Sequence, residues 1–220
     1  MDLKKHNEFF NPIELTRPIH IIGLGATGSH IAEQLARLGC TDLHLWDFDV
    51  VSSHNIPNQM FYYYDIGELK TGAVGSMLLG INPEIKLTFY DRYTNEKLEG
   101  YVFMCADTLE CRKNIIKFNR DNVKVDAVFD FRLRLEDAQH YAADWNSLKE
   151  IETLEASMNF TQEEADKATP VSGCGTTLAI IPTIKCITSL GIANFINMVK
   201  GCDHKKMIIF NPFAAEIVAI

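Results

Sequence analysis

The 220-residue chain has no pair of cysteines at metal-binding spacing: Cys40, Cys105, Cys111, Cys174, Cys186 and Cys202 include no Cys-x-x-Cys. That argues against a zinc site and provides no disulfide framework. Cys40, Cys105, Cys111 and Cys186 sit in apolar surroundings and read as buried core thiols. An uninterrupted apolar run of membrane-spanning length is also missing, because residues 176–199 are broken by Pro182, Lys185 and Asn194. There is no excess of positive charge either. With 21 Lys and Arg against 29 Asp and Glu, the formal charge is −8, which disfavours nucleic acid or an anionic membrane as principal partner. The opening MDLKKHNEFF lacks the apolar core of a signal peptide, and with the unpaired cysteines this points to a cytoplasmic setting. No internal repeat or low-complexity tract is found.

What is present is an ordinary globular balance, 47% hydrophobic and 23% charged, enough to bury a sizeable core in one domain spanning 1–220. The informative stretch begins at Ile19. A short apolar run (Ile19, Ile21, Ile22) empties into Gly23-Leu24-Gly25-Ala26-Thr27-Gly28, a helix-forming segment follows from Ser29 to Leu38, and a second strand from Leu43 to Trp46 delivers Asp47. This is a nucleotide-binding β-α-β pattern in its full context. Gly23 permits a tight turn, Gly25 lets backbone approach a phosphate, and Gly28 lets helix pack close on strand. The following helix offers unpaired N–H groups and a partial positive charge to an anion. Asp47, nineteen residues past Gly28, is spaced to accept hydrogen bonds from ribose hydroxyls. The pattern does not distinguish among adenine nucleotides, and a nicotinamide-dependent oxidoreductase is compatible with it, although no catalytic Tyr-x-x-x-Lys stands out.

The rest of the chain keeps a β/α rhythm. Residues 1–17 read as a polar arm, and the loop from Asp49 to Asn58 is long enough to suggest function. A helix is expected from about Glu68 to Leu79, strands over Ile85–Tyr90 and Tyr101–Ala106, a helix over Leu109–Asn119, and a strand over Val125–Phe131. The acidic segment 132–175 breaks the rhythm and reads as an irregular crossover excursion, with one short helix near Trp145–Met158. A long helix over Thr176–Lys200, ending at Gly201, and a hairpin (Met207–Phe210, Glu216–Ile220) complete the chain. The expected fold is α/β: a Rossmann-like, doubly wound, mainly parallel sheet with helices on both faces and a C-terminal β-hairpin. In such sheets ligands bind at the carboxyl ends of the strands, where the Gly23–Gly28 loop, Asp47 and Asp107 all fall.

With these landmarks placed, Ile19 to Gly201 resembles the ThiF/MoeB/E1 family of ubiquitin-like protein activating enzymes. GLGATGS resembles the family's phosphate loop, and LHLWDFDVV its strand ending in Asp-x-Asp (Asp47, Asp49). Asn55-Ile56-Pro57-Asn58-Gln59 corresponds to Asn-Leu-x-Arg-Gln, and Asp65-Ile66-Gly67 with Lys70 to Ile-Gly-x-x-Lys. Asp107 with Arg112 corresponds to the family's Asp-Asn…Arg, and Cys174, eight residues before Pro182, to its crossover-loop cysteine.

The resemblance implies ATP-dependent adenylation of the C-terminal carboxylate of a small ubiquitin-like or sulfur-carrier protein or peptide, by a homodimer. It places Asp107 on Mg²⁺, Lys70 on the phosphates, Asp47 on the ribose, and Asn55, Asn58 and Gln59 beside the nucleotide. It also makes Cys174 a candidate nucleophile. Acyl-adenylate formation needs positioning and charge neutralisation more than acid–base work, which suits these residue types. Taken singly, each also fits a plain structural role: Lys70 a solvated helix-start lysine, Asp107 a helix cap, Asn55 a turn former, Cys174 part of a tight turn. The sequence departs from the family pattern at Asn58, where an arginine is usual, and in the arm, where only Arg17 and Lys4-Lys5 stand in for an arginine pair. Those departures keep open a second reading, an inactive pseudo-enzyme serving as nucleotide-binding partner subunit.

Overall fold

A computed structural model describes residues 1–171 and 178–220. Cys174 lies outside the described residues. Among the described residues a single eight-stranded sheet forms in the order β3-β2-β1-β4-β5-β6-β7-β8. Its strands are β1 (Ile19–Ile22), β2 (Asp42–Trp46), β3 (Lys86–Tyr90), β4 (Gly100–Met104), β5 (Val125–Leu133), β6 (Ala138–Asp144), β7 (Met207–Asn211) and β8 (Glu216–Ala219). The first five pair in parallel and the last three antiparallel. The expected mainly parallel sheet with a terminal hairpin is therefore present.

Among the described residues six α-helices accompany the sheet: α1 (Ala26–Leu38), α2 (Lys70–Ile81), α3 (Leu109–Asn119), α4 (Leu148–Ala156), α5 (Gln162–Ala168) and α6 (Ile181–Val199). Alternation along the strands divides the apolar residues between two cores. Ile19, Ile21, Leu43, Leu45, Phe103 and Phe129 pack under α1, α2 and α6, whereas Ile22, Trp46, Val102, Met104 and Val128 pack under α3 and α4. The first core is knit by aromatic contacts. Phe103 stacks on Phe129 at 4.8 Å between centroids, and Phe195 of α6 sits edge-on to both.

The segment expected to be an irregular excursion instead contributes β6 to the sheet, paired with β5 through a turn in which Arg134 N–H donates to the Asp137 carbonyl at 2.9 Å. Two helices follow it, α4 in the expected place and α5, where Thr161 caps the helix by accepting from Glu164 N–H. The arm is not free. Phe10 is buried against Phe195, and Leu3 lies where any side chain at residue 39 would have to go. Arg17 sits at the amino edge of the sheet, 3.5 Å from both Glu99 and Asp126, and so faces away from the strand ends that form the site. Cys40 and Cys105 are buried as expected, but Cys111 and Cys186 are only partly so.

A charged cluster is buried among these elements. Asp130 of β5 is fully inaccessible and pairs with Arg112 of α3 and, at 2.7 Å, with Arg132. Arg132 continues to the carbonyl and hydroxyl of Ser157, at 2.9 and 2.8 Å, beyond the end of α4. Removing the shared carboxylate leaves two guanidinium groups facing each other in low dielectric. Asp130→Ala should destabilise the fold by about 3–5 kcal/mol, read as a lower urea midpoint.

His140 is also fully buried. Asn194 Nδ2 lies 3.1 Å from its Nε2 and the Asp130 carbonyl 3.2 Å from its Nδ1, an arrangement that fits the neutral ring with its proton on Nδ1. Burial lowers its pKa to about 3. An unfolded histidine titrates near 6.5, so between these values the unfolded chain binds the extra proton and stability falls as pH falls. His140 should cost about 2 kcal/mol of stability between pH 7 and pH 5. Denaturant melts across that range should show a shallower pH slope for His140→Gln than for the parent.

Candidate nucleotide site

The site begins where β1 ends. Gly23 has φ of +93°, and a Cβ there would lie 2.7 Å from the backbone of Cys105 at the end of β4. A Cβ on Gly28 would overlap the Gly23 carbonyl oxygen, so this glycine sets how closely α1 seats on the turn. At Gly25 the corresponding direction is open, leaving the backbone approachable from the carboxyl edge of the sheet. α1 starts at Ala26, three residues earlier than its pattern indicates, with Gly25 as an N-cap that supplies no side-chain acceptor. Its first N–H groups therefore point, without a side-chain cap, towards that open direction. Thr27 is buried, its hydroxyl against the Cys105 thiol, which burial pushes up to about 12 and keeps unreactive.

Asp47, at the end of β2, fastens this loop from the side. Its Oδ2 accepts from Leu24 N–H at 2.7 Å and its Oδ1 from Asp49 N–H at 2.8 Å. Burial raises its pKa, opposed by those two N–H groups and by Lys70. Two residues on, Asp49 pairs with Lys70 Nζ at 2.8 Å and its carbonyl accepts from Lys70 N–H at 2.9 Å. The lysine is largely buried, its carboxylate partner half exposed. α2 starts at Lys70 rather than near Glu68, because Val50 bridges to Leu69 and Val51 N–H donates to Glu68, holding that stretch extended.

Asn55 is buried as a structural turn residue. Its side chain accepts from Ser52 N–H at 2.9 Å, and its carbonyl receives Gln59 N–H at 2.9 Å. Asn58 donates through Nδ2 to the Ala179 carbonyl, just ahead of α6, at 3.2 Å. The Asn58 Oδ1 and Gln59 Oε1 atoms are buried without hydrogen-bond partners among the described residues. Across the loop, Asp107 is exposed at the turn after β4. Arg112 fixes that turn from below by donating to the Ala106 carbonyl at 2.6 Å and the Phe131 carbonyl at 2.8 Å. Burial lowers the Arg112 pKa to about 10, so it stays charged at neutral pH.

The structure thus gathers Gly23, Gly25, Ala26, Thr27, Gly28, Asp47, Asp49, Lys70 and Asp107 around one strand edge, with Asn55, Asn58 and Gln59 in the flanking loop. Sequence reading passes over His30, the neighbour of this loop on α1, because a lone histidine in a helix carries no signature. It also passes over Arg132, which shares Asp130 with Arg112. Among the described residues no His, Cys, Asp and Glu side chains cluster as a metal-binding group, and no helix is long and apolar enough to cross a membrane. The different surroundings of two glycines can be tested directly. Gly28→Ala should lower stability by about 1–3 kcal/mol through overpacking, and Gly25→Ala by no more than about 1 kcal/mol, measured by chemical denaturation.

Comparison with known proteins bears on the fold and the family. The fold is similar to that of a crystal structure of PaaA (TM-score 0.72, 15% identity, 100% of this chain and 68% of that one). It is also similar to that of E. coli MccB crystallised with AMPCPP and MccA (TM-score 0.73, 17% identity, 95% of this chain and 65% of that one). A 73-residue stretch is 42% identical to ubiquitin-like modifier-activating enzyme 5 of Oryza sativa subsp. japonica, covering 33% of this chain and 17% of that protein. A 97-residue stretch is 32% identical to adenylyltransferase and sulfurtransferase MOCS3 of Drosophila virilis, covering 43% of this chain and 22% of that protein. The chain therefore matches only a fraction of the length of these curated relatives. The ThiF family model matches residues 15–216, nearly the whole chain, and with the glycine turn, Asp47 and Asp107 in place the protein belongs to the ThiF family.

Proposed function

We propose that the protein is an adenylyltransferase that uses ATP to activate the C-terminal carboxylate of a small ubiquitin-like or sulfur-carrier protein or peptide. The observation that carries this reading is Asp107: an exposed carboxylate with no ion-pair partner among the described residues, held beside an open phosphate loop by the grip of Arg112 on Ala106. A lone carboxylate of this kind fits Mg²⁺, which is usually bound by one or two carboxylates together with substrate phosphates. The ion would supply charge neutralisation on the phosphates. The relatives add support, since MccB has been crystallised with ATP and with MccA.

In the reaction, a carboxylate oxygen of the partner attacks the α-phosphorus of ATP. A new P–O bond forms as the bond to the β-phosphate oxygen breaks, and pyrophosphate departs with the electron pair. The chain's residues position and neutralise rather than transfer protons. The first N–H groups of α1 face the phosphates, Asp47 holds the loop and presents its carboxylate to the ribose, and Lys70 reaches the phosphates by leaving Asp49. Exposed Tyr62, Tyr63 and Tyr64, with Ile66 and Leu69, form an apolar lip near Lys70 suited to a protein or peptide partner. Cys174 remains the candidate for any later covalent adduct, and a cytoplasmic homodimer is the proposed working state.

Asn58 favours one competing reading, a nucleotide-binding subunit with no exchange activity of its own. Incubation with ATP, Mg²⁺, labelled pyrophosphate and a Gly-Gly-ended carrier separates the two. The proposed enzyme exchanges label only when the carrier is present, and Asp107→Ala should reduce the rate at least 100-fold. ATP binding without exchange, restored by adding a partner chain, would instead establish the subunit reading.

A further inference from the structure

The family's arginine position holds Asn58, yet the charge that an arginine would neutralise has not disappeared if ATP binds here. α6 reaches the same corner. Its leading end lies at the carboxyl edge of the sheet, because Thr183 Oγ1 donates to the Leu135 carbonyl at 3.0 Å and Asn58 Nδ2 donates to Ala179. α1 and α6 run side by side from that edge, joined about two turns further down by Gln34 donating to Thr188 Oγ1 at 3.1 Å. Two helix N-termini without side-chain caps therefore adjoin the phosphate loop.

Near that corner three buried polar atoms lack hydrogen-bond partners among the described residues: His30 Nε2 on α1, and Asn58 Oδ1 and Gln59 Oε1 in the loop. His30 is only 3% exposed. Burial, with Lys185 as the next contributor, lowers its pKa to about 4. The neutral ring therefore supplies no cation of its own at neutral pH, and the Lys185 ammonium is close enough to be felt by it.

Lys185 is exposed, and its position one turn into α6 makes the placement specific. A long helical side chain leans over the turn N-terminal to its own Cα, here the turn beginning at Ile181 next to Ala179 and Asn58. It takes part in no ion pair among the described residues. Lys70 opens α2 on one flank of α1, the flank of Asp47, and Lys185 stands on the other.

We propose that Lys185 is the replacement cation for position 58, contacting the terminal phosphates of ATP from the side of the phosphate loop opposite Asp47, with His30, Asn58 and Gln59 lining the pocket beneath it. The inference rests on the adenylyltransferase reading and identifies a phosphate-binding residue for it.

Calorimetric titration of the purified full chain with ATP and, separately, AMP, both with Mg²⁺, provides the test. Lys185→Ala should weaken ATP binding about tenfold and AMP binding less than twofold, consistent with loss of one charge-assisted contact to the distal phosphates. Lys185→Arg should keep ATP affinity within about threefold, and Asn58→Arg added to Lys185→Ala should restore most of the loss. Circular dichroism melts of each variant establish that it is folded. If the parent binds ATP and Lys185→Ala binds it equally well, or loses ATP and AMP in equal measure, Lys185 is not the replacement and the reading of the site stands. If the folded parent binds neither nucleotide, the inference and the reading beneath it both fall.

Discussion

The Asp130 carboxylate is the buried charge to which α3, strand β5 and the end of α4 are all fastened. It lies under the sheet's carboxyl edge, where one arginine comes from α3 and another from its own strand. Each arginine has further partners: Arg112 donates to the Ala106 and Phe131 carbonyls, and Arg132 to the carbonyl and hydroxyl of Ser157. A buried ion pair contributes little net stability, since desolvation cancels much of the attraction, but it is unforgiving of geometry. Here that geometry sets the turn carrying Asp107, the packing of α3 and the end of α4. The antiparallel β5–β6 ladder sets the register of the two parts of the sheet, and this carboxylate ties the helices beside them to it.

The glycine turn works by the complementary principle, exclusion of side-chain volume rather than satisfaction of charge. Strand β4 presses on Gly23 and the Gly23 carbonyl presses on Gly28, so the start of α1 is wedged against the sheet. Asp47 then draws the loop sideways by accepting from Leu24 N–H, while its other oxygen accepts from Asp49 N–H and is held in place. Steric exclusion fixes how far the turn is from the sheet, and hydrogen bonding fixes how it is oriented. The result is a rigid anion-facing surface in a chain whose overall charge is −8. The local field there comes from backbone dipoles and a few placed cations, not from bulk composition.

Much of this was legible in the residues because local and global preferences agree. The β1–α1–β2 unit announces itself through an apolar run, a glycine turn and a spaced carboxylate, and the pattern of α3 matches its observed limits residue for residue. β6 escaped notice for a physical reason. Its sequence, AQHYAAD, has low β propensity and is flanked by acidic residues, so what makes it a strand is pairing with β5 on one side and β7 on the other. The boundary shifts have similar origins. Glycine at the head of α1 disguises its first turn, and the bridge between Val50 and Leu69 delays α2. The pairing of Asp130 with Arg112 and the approach of α6 to His30 and Asn58 bring together residues well separated in the chain, and no local pattern encodes them.

The ion pair between Asp49 and Lys70 has a consequence for how the site would respond to its surroundings. An anion that reaches Lys70 must displace a carboxylate already in place, so occupancy is an exchange of partners and not the filling of a bare positive hole. Dissolved salt screens the departing attraction as well as the arriving one. The two effects offset, and affinity at this lysine should vary with ionic strength less than its formal charge suggests. The released Asp49 carboxylate, half exposed and still tethered two residues from Asp47, then adds negative charge at the rim just as the nucleotide brings its own. Occupancy would thereby make the mouth of the site more acidic and leave it better disposed to cations than before.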